Sequence, residues 1–146
     1  MISYKYTFQL KMHTMENIII ASSHTGELSI NFEQVLKVKN KRIALLSIIH
    51  SGIRQRSKRL IKDKSYGDTA LFYCDVIKDN TIINNSHQNC LDVVFLNELG
   101  DSTEIRNPTY HDLRVNELMN INIEIRGFDG ELFNFSQYVI VKLALK

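Results

Sequence analysis

Apolar and polar residues alternate with a period of two along much of this chain. Its first thirteen residues, MISYKYTFQLKMH, set Ile2, Tyr4, Tyr6, Phe8, Leu10 and Met12 at every even position, while every odd position from Ser3 to Lys11 is polar. A period of two is the mark of a strand that buries one face. At about 3.3 Å per residue the opening segment predicts a strand on the order of 36 Å long. Alternation returns at Leu28, Ile30 and Phe32, at Ile121, Ile123 and Ile125, and at Val139, Val141, Leu143 and Leu145.

Apolar runs fill the intervals. NIIIA (17–21), ALFYCDVI (70–77) and CLDVVFL (90–96) predict further strands, and RIALLSII (42–49) predicts a strand buried on both faces. Turn-forming residues punctuate them in SSHTGE, KNK, KDNTIINNSHQN and NELGDS. RNPTYHDL, with the only proline, predicts an extended loop, and LRVNELM (113–119) a single helical turn. In GFDGE, Asp129-Gly130 is the residue pair that hairpin turns with positive φ favour. Eight to ten short strands without a long helix predict an all-β, antiparallel β-sandwich or barrel, with a strand tying each terminus into a sheet.

Composition agrees with one globular unit, residues 1–146, having 44% apolar and 23% charged residues. A domain of this size buries roughly 68–70% of the surface its unfolded chain exposes, so it needs neither metals nor disulfides to hold a core. No signal peptide opens the chain, and the longest apolar run, IALLSII, is far short of the roughly 20 residues of a membrane helix. A soluble, non-secreted protein with no membrane span is the expectation. Cys74 and Cys90 form no CxxC and lie in apolar runs, so two buried reduced thiols are expected, although a disulfide between neighbouring strands would be geometrically possible.

Charge adds one feature that the net value of +2 hides. Residues 54–64, RQRSKRLIKDK, hold six basic residues and one acidic one, while the remainder has twelve basic against fifteen acidic, a net −3. Arg54, Arg56, Lys58, Arg59, Lys62 and Lys64 are candidates for contact with nucleic-acid phosphates or another anionic partner. Leu60 and Ile61 interrupt the run and Tyr66 is its one nearby aromatic, which gives no base-stacking platform. The competing reading is a solvated loop.

Catalytic signals are absent from the pattern. The five histidines, 13, 24, 50, 87 and 111, lack metal-motif spacing, no GxSxG occurs, and the Asp129 and Glu131 carboxylates flank a turn. No catalytic residue, metal ligand or cofactor is assigned. Tyrosine suits sites with one apolar face and one wet edge, so Ile2, Tyr4 and Tyr6 are candidate oligomer-interface residues.

The final third of the chain, NPTYHDLRVNELMNINIEIRGFDGELFNFSQYVIVKLALK, resembles the C-terminal end of single jelly-roll minor capsid proteins. These are the penton-like proteins of Polinton-like and adintovirus-type DNA viruses. The resemblance lies in Pro108 and Tyr110, the Ile121/Ile123/Ile125 strand, Asp129-Gly130, Phe135, and the Val139/Val141/Leu143/Leu145 strand. INFEQVLKVKNKRIALLSII is similar to the family's early pattern, with a departure at Arg42-Ile43, where the family often has Trp and then Glu or Val. The two windows span about 28–49 and 105–146.

The resemblance implies a single jelly roll of about eight strands and a structural virion protein, without enzymatic activity. Such a subunit assembles with copies of itself into a ring, a pentamer by analogy, at a capsid vertex. Its implied partners are the major capsid protein and, through the basic segment, packaged DNA. Its implied location is the virion, assembled in the cytoplasm or nucleus of a host cell. The alternative is a trimeric, spike-like β-sandwich head that binds a receptor or ligand, although the lack of tryptophan disfavours a sugar platform.

Overall fold

The computed structural model describes residues 5–11, 16–54, 67–78, 81–83 and 86–146. Twelve strands run through them in chain order: β1 (Lys5–Lys11), β2 (Glu16–Thr25), β3 (Glu27–Lys37), β4 (Arg42–His50), β5 (Gly67–Cys74), β6 (Thr81–Ile83), β7 (Ser86–Gln88), β8 (Cys90–Asn97), β9 (Asp101–Glu104), β10 (His111–Asp112), β11 (Glu117–Arg126) and β12 (Asn134–Leu145). There is no helix among the described residues.

Two antiparallel sheets hold the long strands. One runs β1-β2-β12-β4, with β9 and β10 both on β4; the other runs β3-β11-β5-β8. Setting aside β1, the β6–β7 hairpin and two-residue β10 leaves eight principal strands. Counted along the chain, they order themselves first-eighth-third-sixth in one sheet and second-seventh-fourth-fifth in the other. That alternation of the chain between two facing sheets is the jelly roll.

Side-chain alternation explains why these segments pack this way. On β11, Ile121, Ile123 and Ile125 are buried while Asn120 and Asn122 are exposed; on β12, Val139, Val141 and Leu143 are buried. These side chains meet Ile19, Ile30, Ile43, Leu45 and Phe72 in one core between the sheets. β4 is buried on both faces only over Ile43–Leu45, since Ile49 is 39% exposed on the outer side.

Several local expectations need correction. SSHTGE is not a turn: β2 continues to Thr25, because Ser22 and Ser23 pair with Ile140 and Val139 of β12. The chain then passes from one sheet to the other through Gly26 alone. NELGDS divides into a turn and the start of β9, and the polar 78–89 stretch contains the β6–β7 hairpin. No helical turn forms at 113–119, because Leu118 pairs with Leu36 across the β11–β3 ladder and is buried, so the strand begins at Glu117. GFDGE does make the expected tight turn, with the Gly130 N–H donating to Gly127 O at 3.0 Å and Arg126 bridging Leu132, although β11 and β12 then go to different sheets. Only Gly130 there has positive φ, while Asp129 Oδ1 accepts the Glu131 N–H.

Candidate functional site

The jelly roll collects its connections at two ends. The β2–β3, β4–β5, β8–β9 and β11–β12 connections lie at one end, and the β3–β4, β5–β8 and β9–β11 connections at the other. Arg54, where the basic segment begins, lies at the first end. Arg54 is exposed there, and its backbone N–H donates to Asn134 O at 2.8 Å. Arg56, Lys58, Arg59, Lys62 and Lys64 lie outside the described residues, as do Ile2 and Tyr4. Tyr6 stands in β1 opposite Ala21 of β2.

The stem of the basic segment is firmly built. β12 breaks register against β2 between Asn134 and Val139, and Ser51 fills the break. Its hydroxyl oxygen accepts the N–H groups of Gln137 and Tyr138, each at 2.8 Å, and its carbonyl accepts the Ser136 hydroxyl at 2.8 Å. Beside it, His50 is buried against Phe135 with ring centroids 5.5 Å apart. The Gly52 N–H donates to His50 Nδ1 at 3.2 Å, which places the proton of the neutral ring on Nε2. Nε2 is buried and finds no partner among the described residues. Burial therefore lowers the His50 pKa, partly offset by the charge of Asp101.

Apolar side chains are exposed at this end and along the neighbouring sheet edge. Leu99, in the β8–β9 turn, is 87% exposed. On edge strand β8, Val93 and Phe95 are 49% and 53% exposed. An edge strand with β-branched and aromatic side chains facing outward favours pairing with another surface.

The outer face of the second sheet carries a polar cleft of about 290 Å³ between β5 and β11. Asn122 organises it: its backbone and side-chain N–H groups donate to the Asp75 carboxylate at 2.9 and 2.8 Å, and the Ser29 hydroxyl donates to its Oδ1. Tyr73, Asn89 and Glu124 complete the lining, and burial raises the Tyr73 pKa. The cleft offers hydrogen-bonding groups beside one aromatic ring. Its residues are distant in sequence, and the polar positions of alternating strands gave no reason to group them.

The cysteines are both free and buried, as expected. Burial pushes the Cys74 thiol up to about 12 and also raises Cys90, so neither is poised as a thiolate. His24 is exposed, and His111 Nε2 lies 2.8 Å from Leu91 O. Among the described residues, no group of three His, Cys, Asp or Glu side chains is placed to hold a metal. No helix there is long and apolar enough to cross a membrane. Neither the family models nor the curated proteins compared with this chain give a match.

Proposed function

We propose that this chain is a structural virion protein, a penton-like minor capsid subunit that joins copies of itself into a closed ring at a capsid vertex. The strand order carries the reading, because it is the jelly-roll order that the resemblance implies. The fold also serves lectins and cupins, so it limits function without assigning it. The residues behind the resemblance are scaffold residues: Ile121, Ile123 and Ile125 line β11, and Val139, Val141, Leu143 and Leu145 line β12, all buried.

Ring closure needs heterologous contacts, in which one side of each subunit meets a different side of the next. The outward Val93 and Phe95 of edge strand β8 supply an apolar strip for such a contact. Ile2, Tyr4 and Tyr6 at the start of the chain are the second proposed contact. The major capsid protein is the expected neighbour of the ring, and the Arg54–Lys64 segment the expected contact with packaged DNA. In this reading the subunit has no catalytic duty and works in the virion, after assembly inside the host cell.

Sedimentation of the purified chain tests the proposal. A ring that dissociates in a Val93→Asp/Phe95→Asp variant of unchanged thermal stability supports it, and a wild-type monomer at all concentrations refutes it. The polar Tyr73–Asp75–Asn122 cleft favours a second reading, a trimeric ligand-binding head. A three-copy assembly that binds polyhydroxylated ligands would decide for that reading.

A further inference from the structure

At the end of the sandwich opposite Arg54, three connections enclose a half-open cleft of about 520 Å³. Backbone hydrogen bonds fasten them together. The Val38 N–H donates to Asn116 O at 2.9 Å, the Lys41 N–H to Val38 O at 2.9 Å, and the Lys78 N–H to Asp112 O at 3.2 Å. Isolated bridge pairing of Ile77 with Leu113 adds a further tie. Asn40 turns the β3–β4 connection with a φ of 63°, in the left-handed region that asparagine tolerates. The cleft is therefore framed by fixed backbone.

Its charge is lopsided. Among the described residues that line it are Lys41, Arg42 and Lys78, with Asp112 as the one carboxylate, a formal net charge of +2. Among the described residues none of these four makes an ion pair. Arg42 is held from the side: its guanidinium carbon lies 5.9 Å from the centre of the Tyr110 ring, which Lys146 Nζ also approaches at 5.4 Å. Asn40 and Asn116 add side-chain amides to the lining. Three cations against one carboxylate, Asp112, which stands opposite Arg42 in the β10–β4 ladder, leave a concave site that raises the local concentration of anions. The volume falls within the roughly 300–1,000 Å³ of small-molecule sites.

We propose that this cleft binds a phosphate monoester through its dianionic phosphate group. A dianion balances the net charge, whereas a single carboxylate does not. Arg42 supplies the planar fork that pairs with two phosphate oxygens, and Lys41 and Lys78 supply point charges beside it. The site is independent of the ring-forming reading, since it uses neither β8 nor the Arg54–Lys64 segment.

Calorimetric titration of the whole chain with sodium pyrophosphate at low salt tests the proposal. Saturable binding is expected, weakened about tenfold or more by Lys78→Ala and by Lys41→Ala, through loss of one charge-assisted contact each. Lys142→Gln, on the middle of β12, should leave it unchanged. If an alanine variant is unstable, Lys78→Gln replaces it, keeping the side-chain length and removing the charge. Phenyl phosphate, a monoester, should displace pyrophosphate, whereas an unphosphorylated DNA oligomer, whose phosphodiesters carry one charge each, should not; displacement by the oligomer but not by phenyl phosphate overturns the proposal. No saturable binding by the wild type, or equal weakening by Lys142→Gln, overturns the proposal.

Discussion

Replacing Gly26 with alanine strikes the narrowest point of the jelly roll, the one residue between β2 and β3. A Cβ built there lies 2.4 Å from Ile125 O and 3.1 Å from Phe133 O, both backbone atoms. These carbonyls have no freedom to retreat. The Gly26 N–H donates to Phe133 O at 2.7 Å, the Ile125 N–H donates to Gly26 O at 2.7 Å, and the Phe133 N–H donates to Ile125 O at 3.0 Å. Moving Ile125 O away stretches this set, and each buried group left unpaired costs about 1–3 kcal/mol. Overpacking adds about 1–3 kcal/mol, so the expected loss is about 2–6 kcal/mol.

Gly130→Ala is the control. Its Cβ meets nothing within 4 Å, and the cost is the positive φ of 81° alone, about 1–2 kcal/mol. Because the chain has no tryptophan, urea unfolding is followed by circular dichroism or tyrosine fluorescence. Gly26→Ala should lose more stability than Gly130→Ala. If it loses the same or less, the packed sheet-to-sheet crossing at Gly26 is refuted.

Further outcomes follow from the stem of the basic segment and from the segment itself. His50 is lowered by burial from the unfolded value of 6.5, so the unfolded chain takes up its proton first and stability falls as pH drops below about 6.5. The slope approaches about 1.4 kcal/mol per pH unit and flattens below the folded-state pKa; urea unfolding of wild type and His50→Gln should differ by this term, and parallel curves would contradict it. Ser51→Ala removes the acceptor of two exposed N–H groups that water can then serve, so thermal unfolding should register a loss of about 1 kcal/mol; a loss above 3 kcal/mol would refute the accounting. Replacing Arg54, Arg56, Lys58 and Arg59 with Ser should keep the circular dichroism spectrum and reduce the salt dependence of DNA binding by about 0.9 in log–log slope per lost phosphate contact. Unchanged retention on DNA at low salt would exclude that contact.

Strand identity was legible wherever one face is apolar and the other polar. Ile121, Ile123 and Ile125 show it best, because each faces the core and each neighbour faces water. The pattern failed where pairing overrides side-chain chemistry. Ser22 to Thr25 look like a turn by composition, yet β12 holds them in the sheet. Leu113 to Met119 lose the period of two because residues 113–116 precede β11 and Met119 sits at its register break opposite β3, a combination that resembles a helical turn. Asp129-Gly130 forms the tight turn its sequence signals, yet the strands on either side go to different sheets, which no local signal gives. The basic cleft was invisible for a similar reason: Lys41, Arg42, Lys78 and Asp112 come from three connections that only the folded topology brings together. The charge run at 54–64, by contrast, is contiguous and is plain in the sequence.

The proposal that the chain is a ring-forming subunit is best tested by counting protomers in native mass spectrometry. Five copies in a closed assembly is the expected result. A stable monomer, or a trimer, would contradict it.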